Sequence, residues 1–99
     1  MNNIEMKKRA LWHLMMSIML AHHAAVRYLD MNNVIRLQSH GELSGQLAML
    51  YYLDIIPDAL KTKHTHTIGA TVAEYRAMYN DILSLYMEYG GDKEFAPKL

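Results

Sequence analysis

The sequence predicts an all-α protein, and three observations support this. Proline, the strongest helix breaker, occurs only at positions 57 and 97 of the 99 residues, so long stretches of the chain can be helical. No stretch alternates apolar and polar residues as a half-exposed strand does, and apolar residues instead recur three and four positions apart. We therefore expect a small helical bundle with three main helices, over residues 3–30, 43–56 and 71–89, completed by homodimerisation.

The first helix is predicted from a cap and a long apolar pattern. Asn2 or Asn3 can cap its start, with Glu5 in the first turn, and the Asn32–Asn33 pair follows its end at Asp30. Such a helix is about 40 Å long, whereas a compact chain of this size has a radius of gyration of about 13 Å. The helix is apolar on nearly all sides, which is typical of a central helix or one shared between subunits.

The middle of the chain is less regular. We expect no more than a short helical turn in residues 31–41, and a second helix that starts near Glu42 or Ser44. This helix should end before Pro57, because the residue before a proline avoids the helical region. Pro57 can begin one further short turn, and residues 61–69 should form a loop. The inward face of the second helix is formed by Leu43, Leu47, Leu50 and Tyr51.

The last helix has clear signals at both ends. Thr71 and Glu74 are spaced as a capping box, which marks a helix N-terminus. Gly90 directly follows Tyr89 and is suited to the left-handed conformation that commonly ends a helix. We therefore expect this helix over residues 71–89.

One domain accounts for the whole chain, because 99 residues is too short for two ordinary domains. Residues 1–91 should form this helical domain and residues 92–99 a C-terminal tail. The tail is expected to be mobile unless Phe95 docks on the domain.

A tyrosine stripe on the last helix is the clearest functional signal. Tyrosine is enriched at protein interfaces and in their energetic hot spots, and the first helix adds an apolar patch on its far side. The predicted interface residues are Tyr75, Tyr79, Tyr86, Tyr89, Met16 and Leu20. Two alternatives remain open, namely a helix seam inside the monomer and a stacking platform for nucleobases with Arg76 or Lys61 on phosphate.

The adjacent histidines in the segment LAHHAAVRY suggest a metal site, but their spacing does not favour one. Successive helix residues differ by about 100°, so His22 and His23 cannot bind one metal through the same face. His64 and His66 would complete a zinc site only if their loop folded back to these residues. We expect instead that His22 is a core or seam residue hydrogen-bonded to a tyrosine or a carbonyl, that His23 is exposed, and that no cofactor is bound.

Several function classes are disfavoured by composition. The ten basic and ten acidic residues cancel, whereas a general nucleic-acid binder needs a basic surplus. The chain has no Cys and therefore no disulfide or thiolate metal site. The apolar residues 10–29 are interrupted by His13, Arg27 and other polar residues, which argues against a membrane span or a signal peptide. We expect a soluble cytoplasmic protein.

No catalytic motif is present, so we expect a non-enzymatic protein. The favoured function is a small helical interaction protein that binds a protein partner and regulates or inhibits it. Phages and mobile elements direct inhibitors of this general kind at host systems. The alternative is a helical bundle that binds a small ligand, a nucleotide or a metal through its histidines and tyrosines.

Overall fold

A computed structural model describes residues 3–63 and 70–99 and confirms the all-α class. Three helices are long, one is short, and the described residues contain no strand. In chain order the helices are α1 (Asn3–Arg27), α2 (Val34–Tyr52), α3 (Asp58–Lys63) and α4 (Val72–Glu88), followed by a 3-10 turn at Lys93–Phe95. The short turn expected after Pro57 is α3, which continues to Lys63, so the predicted loop was wrong for residues 61–63. The rest of that predicted loop, residues 64–69, lies outside the described residues.

The long first helix is the centre of the fold. Helix α1 packs against α2 and against α4, and these two contacts make up most of the interhelix packing. Its 25 residues give a length of about 37 Å, and the described molecule measures 41 × 27 × 20 Å. Helix α1 therefore extends along most of the longest dimension of the described molecule. Contacts of His22 with Arg76 and of Lys7 with Tyr89 make α1 and α4 antiparallel.

Nineteen apolar residues from all three long helices, the turn after α2 and the tail form one continuous core. Helix α1 contributes Leu11, Leu14, Met15 and Ile18, none of which is accessible to solvent. The small residues Ala21 and Ala25 continue this buried surface toward the end of α1. Because α1 is buried on two sides, each flanking helix needs only one apolar face.

The first helix ends at Arg27 rather than at Asp30, so the predicted boundary was three residues too late. Beyond the helix, the Asp30 carboxylate accepts a hydrogen bond from the Asn32 backbone N–H at 2.9 Å. The Arg36 side chain donates to the carbonyl oxygens of Tyr28 and Leu29 at 3.1 and 3.2 Å. These bonds hold the backbone that leads from α1 to α2 in place.

Helix α2 begins at Val34, so the expectations of a start near residue 43 and of only a short turn in residues 31–41 were wrong. Asn33 is its N-cap, because the Asn33 side chain accepts hydrogen bonds from the backbone N–H groups of Ile35 and Arg36 at 2.9 and 3.3 Å. Gly41 lies inside the helix without ending it. The predicted inward residues Leu43, Leu47 and Leu50 are buried, whereas Tyr51 is half-buried.

The end of α2 was also misplaced, because the helix stops at Tyr52 and not at residue 56. Asp54 adopts a left-handed conformation with φ of 57°, and the Ile55 N–H donates to the Leu50 carbonyl at 2.9 Å. This is a Schellman motif with Asp where glycine is usual. The turn carries Ile55 and Ile56 into the core instead of extending the helix.

Both ends of α4 agree with the prediction to within one residue. Thr71 Oγ1 accepts the Glu74 N–H at 3.2 Å, and the Glu74 carboxylate accepts the Thr71 N–H at 3.3 Å, which completes the capping box. At the other end, Gly90 has a φ of 88°, and the Gly91 N–H donates to the Tyr86 carbonyl at 2.9 Å.

The C-terminal tail is held against the helices through its backbone. The Trp12 indole N–H donates to the Phe95 carbonyl at 2.8 Å, and the Tyr79 hydroxyl donates to the Pro97 carbonyl at 2.6 Å. Ala96 and Pro97 are buried, whereas the Phe95 side chain is 74% exposed. The tail is therefore docked on the helices through its backbone carbonyls. The Phe95 ring, from which docking was predicted, is exposed.

Candidate functional site

The predicted tyrosine stripe lies mainly inside the monomer. Tyr75, Tyr79 and Tyr86 are 2%, 7% and 6% exposed and belong to the core, and Tyr89 is half-buried against it. Burial raises the pKa of Tyr75 and of Tyr79. In this conformation three of the four rings form the intramolecular seam that was one of the alternatives, and they offer little surface to a partner or to a nucleobase. Their role in an interface stays a prediction.

Met16 and Leu20 differ from these tyrosines in exposure. Met16 is half-buried, whereas the Leu20 side chain is 52% exposed on the side of α1 away from the core. Of the six predicted interface residues, Leu20 therefore offers the most surface to another molecule.

The two adjacent histidines lie in different environments, as their spacing predicts. His22 is buried and His23 is exposed, with ring centroids 6.1 Å apart. Burial, the Arg76 charge and then His23 lower the pKa of His22. The expected tyrosine or carbonyl partner was wrong, because Arg76 Nε donates to His22 Nε2 at 3.4 Å. The other ring nitrogen, Nδ1, is buried and has no hydrogen-bond partner among the described residues.

No set of three or more metal-binding side chains is found in residues 3–63 and 70–99. His64 and His66, the other members of the alternative metal site, lie outside the described residues. Among the described helices, none is both long and apolar enough to cross a membrane.

A second buried histidine was missed by the sequence analysis. His40 is 7% exposed, and its Nδ1 is hydrogen-bonded to the Tyr75 hydroxyl at 2.7 Å, joining α2 to α4. The available signal was spacing, because His40 precedes Leu43 and Leu47 by three and seven positions on the same helix face. It was overlooked because residues 31–41 were not assigned to the helix.

A groove lies between α1 and α2. Its volume is about 320 Å³. The lining residues on each helix recur three or four positions apart, which places them on one face. Two pairs on α1 and its end, His23–Ala24 and Arg27–Tyr28, are adjacent in the sequence. The lining consists of Ser17, Leu20, His23, Ala24, Arg27 and Tyr28 from α1 and its end, and Ile35, Ser39 and Glu42 from α2.

The groove combines an apolar floor with charged rims. Leu20 and Ile35 are 52% and 47% exposed, so each presents apolar surface to solvent. His23 and Arg27 lie on the α1 side and Glu42 lies on the α2 side. No ion pair joins these rims in the described residues, and the Arg27 guanidinium is 5.6 Å from the centre of the Tyr28 ring. The charges are therefore available to a bound molecule.

Exposed apolar side chains continue from the groove around the turn between α1 and α2. Leu29 is 86% exposed and Val34 is 74% exposed, and Val26 and Met31 are also exposed. Monomeric proteins rarely expose contiguous apolar patches of more than a few hundred Å² unless those patches bind something. This end of the molecule therefore has the composition of a binding surface.

The groove is open to solvent along its apolar residues. Small-molecule sites usually enclose 70–90% of their ligand, whereas the two main apolar residues here remain about half exposed. Protein interfaces tolerate shallower surfaces, since the partner covers both the groove and its rim.

No family model matches the chain, and no curated protein or solved structure is similar enough to count as a relative. Function is therefore inferred from the groove, the exposed apolar side chains and their charges.

Proposed function

We propose that this chain is a non-enzymatic interaction protein that binds a protein partner through the groove between α1 and α2 and regulates or inhibits it. The observation that carries the proposal is the groove itself, in which half-exposed Leu20 and Ile35 share one lining with basic residues on α1 and Glu42 on α2. A partner segment would place an apolar side chain between these two residues.

Charge defines the partner further. An acidic group on the partner would lie against Arg27 and His23, and a basic group would lie near Glu42. Complementary charges fix the orientation of the partner and increase its association rate, while the apolar contact supplies most of the affinity. The partner segment is therefore amphipathic, with an apolar anchor and charges of both signs.

The contact can be tested by site-specific photocrosslinking in the native host, using a photoreactive residue in place of Leu20. The matched control places the same residue at Ser84, which is exposed on α4. We expect a discrete crosslinked partner from position 20 and none from position 84. Identical products from both positions would contradict a specific groove.

The purified partner then allows a quantitative test with two charge reversals on α1. Arg27→Glu removes a basic group from the groove rim, whereas Arg9→Glu makes the same charge change at an exposed site outside the groove lining. We expect Arg27→Glu to weaken binding at least tenfold, about 1.4 kcal/mol, and Arg9→Glu to change it less than twofold. Equal effects would indicate only general electrostatic attraction.

Native mass spectrometry of protein purified without a chelator distinguishes this function from the small-ligand alternative. We expect no bound mass other than protein. A stoichiometric metal ion or nucleotide would favour the alternative, and a partner whose activity is unchanged by saturating amounts of the chain would contradict regulation.

A further inference from the structure

The outward face of α2 is almost uncharged, which is unusual for an exposed helix surface. Opposite its buried leucines, eight exposed residues fall within about 120° of the helix circumference. We call this surface the α2 strip, and it consists of Val34, Leu37, Gln38, Gly41, Gly45, Ala48, Met49 and Tyr52. None of them is charged, whereas the exposed face of a solvated helix normally carries charged side chains.

The only charged residues of α2 lie off the strip. Arg36 is turned inward, where it donates to the carbonyls of Tyr28, Leu29 and Ala70. Glu42 lines the groove at the edge of the strip. Two copies of the strip can therefore approach each other without bringing like charges together on it.

The strip is also symmetric about the midpoint of its helix. Val34 and Tyr52 each lie nine positions from Leu43, and Leu37 and Met49 each lie six positions from it. Gln38 and Ala48 follow at five positions, and Gly41 and Gly45 at two. If two α2 helices cross in antiparallel orientation at the level of Leu43, Val34 of one copy faces Tyr52 of the other. The other matched positions face each other in the same way.

This arrangement meets the requirement of a two-fold interface, in which residue i contacts residue j and residue j contacts residue i. Large apolar side chains would meet at both ends of the strip, where Val34, Leu37, Met49 and Tyr52 are 74%, 42%, 57% and 83% exposed. At the centre, Gly41 and Gly45 have no other group within 4 Å of where a Cβ would lie. The two helix backbones can therefore approach closely at the crossing.

The available area is sufficient for a weak specific dimer. The four large apolar residues of the strip are 42% to 83% exposed, and a large side chain presents roughly 200 Å² when fully exposed, so with the small residues between them the strip offers on the order of 500–600 Å² of accessible surface per copy. Two copies would bury on the order of 1,100 Å², which reaches the lower end of specific interfaces.

We propose that the α2 strip is a self-association surface, whose occupant is the α2 strip of a second copy in antiparallel orientation. This goes beyond the partner-binding function, since it uses a different face of α2 from the one that lines the groove. Groove binding and self-association can therefore fail separately.

Sedimentation velocity over a range of concentrations tests the association. We expect a monomer–dimer equilibrium in the micromolar range. Gly45→Lys introduces bulk and charge at the crossing, and Asn80→Lys introduces the same charge on the exposed face of α4. Gly45→Lys should raise the dimer dissociation constant at least tenfold, and Asn80→Lys less than twofold. A chain that stays monomeric, or equal effects of the two variants, would overturn the proposal.

Loss of dimer in Gly45→Lys is not expected to result from unfolding of the monomer. Gly45→Lys removes a glycine from an exposed helix interior with open space around it, so the monomer should be at least as stable. Circular dichroism and thermal melting check this point. The groove crosslink from position 20 should survive Gly45→Lys if the two surfaces are independent.

Disulfide trapping tests the antiparallel register, because the natural chain has no Cys. Gly41→Cys and Gly45→Cys chains are prepared separately and then mixed under mild oxidation. In the proposed register, position 41 faces position 45 of the other copy, so the mixture should crosslink several-fold faster than either variant alone. Equal rates in all three samples would overturn this register.

Discussion

The outward faces of α2 and α4 differ although both helices pack on α1 in a similar way. Each has an inner face of buried apolar or tyrosine residues. On its outer face, α4 exposes Arg76, Asn80, Ser84 and Glu88, and its only exposed large apolar residue is Met87, at 47%.

Helix α2 instead exposes five large apolar side chains and only one charged residue, Glu42. The five are Val34, Ile35, Leu37, Met49 and Tyr52. Packing within the monomer explains the inner face of both helices, but it gives no reason for an apolar outer face on one of them. Both of our proposals therefore place the contact with other molecules on α2 and not on α4.

The largest expected effect is a difference in the free energy of unfolding between a variant at a buried tyrosine and a variant at an exposed one. Tyr75→Ala removes a ring that is 2% exposed and hydrogen-bonded to His40, so we expect a loss of about 3–5 kcal/mol in the free energy of unfolding. Tyr52→Ala, at 83% exposure, should change it by less than about 0.5 kcal/mol in dilute protein. Urea unfolding measures both, and a large loss for Tyr52→Ala would mean that α2 has no free outer face.

Two glycines should respond in opposite directions to the same substitution. A Cβ at Gly91 would collide with the Tyr86 ring, so Gly91→Ala should lower the free energy of unfolding by about 1–3 kcal/mol. Gly41 lies in the open strip on α2, where Gly41→Ala should raise it by about 0.5–1 kcal/mol. Thermal melting measures the change in stability of both variants. A destabilised Gly41→Ala monomer would show that other residues of the same chain cover the strip.

The smallest expected effect is a pH dependence at the contact between α1 and α4. The folded state lowers the pKa of His22 below its ordinary value of 6.5, first through burial and then through Arg76 and His23. The unfolded chain therefore binds a proton that the folded chain excludes, and stability is lost as the pH falls below about 6.5.

His22→Gln is the matched variant, because its amide oxygen can still accept the Arg76 hydrogen bond. Unfolding measured between pH 5 and 8 should show a smaller loss of stability toward low pH in His22→Gln than in the natural chain. If the free energy of unfolding falls equally toward low pH in both proteins, His22 is not the source of the pH dependence.

The helix ends show which local signals could be interpreted from the sequence. Helix α4 was placed to within one residue because Thr71, Glu74 and Gly90 are residues that favour caps strongly. Helix α2 was misplaced because Asn33 could equally follow one helix or begin the next. Its other end uses Asp54 in the left-handed position where a glycine is the usual signal.

The candidate site was less predictable, because periodicity assigns a residue to a helix face but not to a partner. The same spacing placed Tyr75 and Tyr79 on one face whether that face met α1 or a second protein. The His22–Arg76 contact joins residues 54 positions apart, and the groove depends on how α1 and α2 cross. Leu20 was predicted as an interface residue because its face of α1 was already distinct in the sequence, and that role stays a prediction.

The hydrogen bond from Trp12 to the Phe95 carbonyl makes the docking of the C-terminal tail visible to fluorescence. Trp12 is the only tryptophan in the chain, so intrinsic emission excited at its absorption edge comes from one place. If the tail were pulled away, the indole N–H would face water and the emission would shift to longer wavelength while helix content stayed the same. The molecule thus carries its own label-free optical probe of the state of its last few residues.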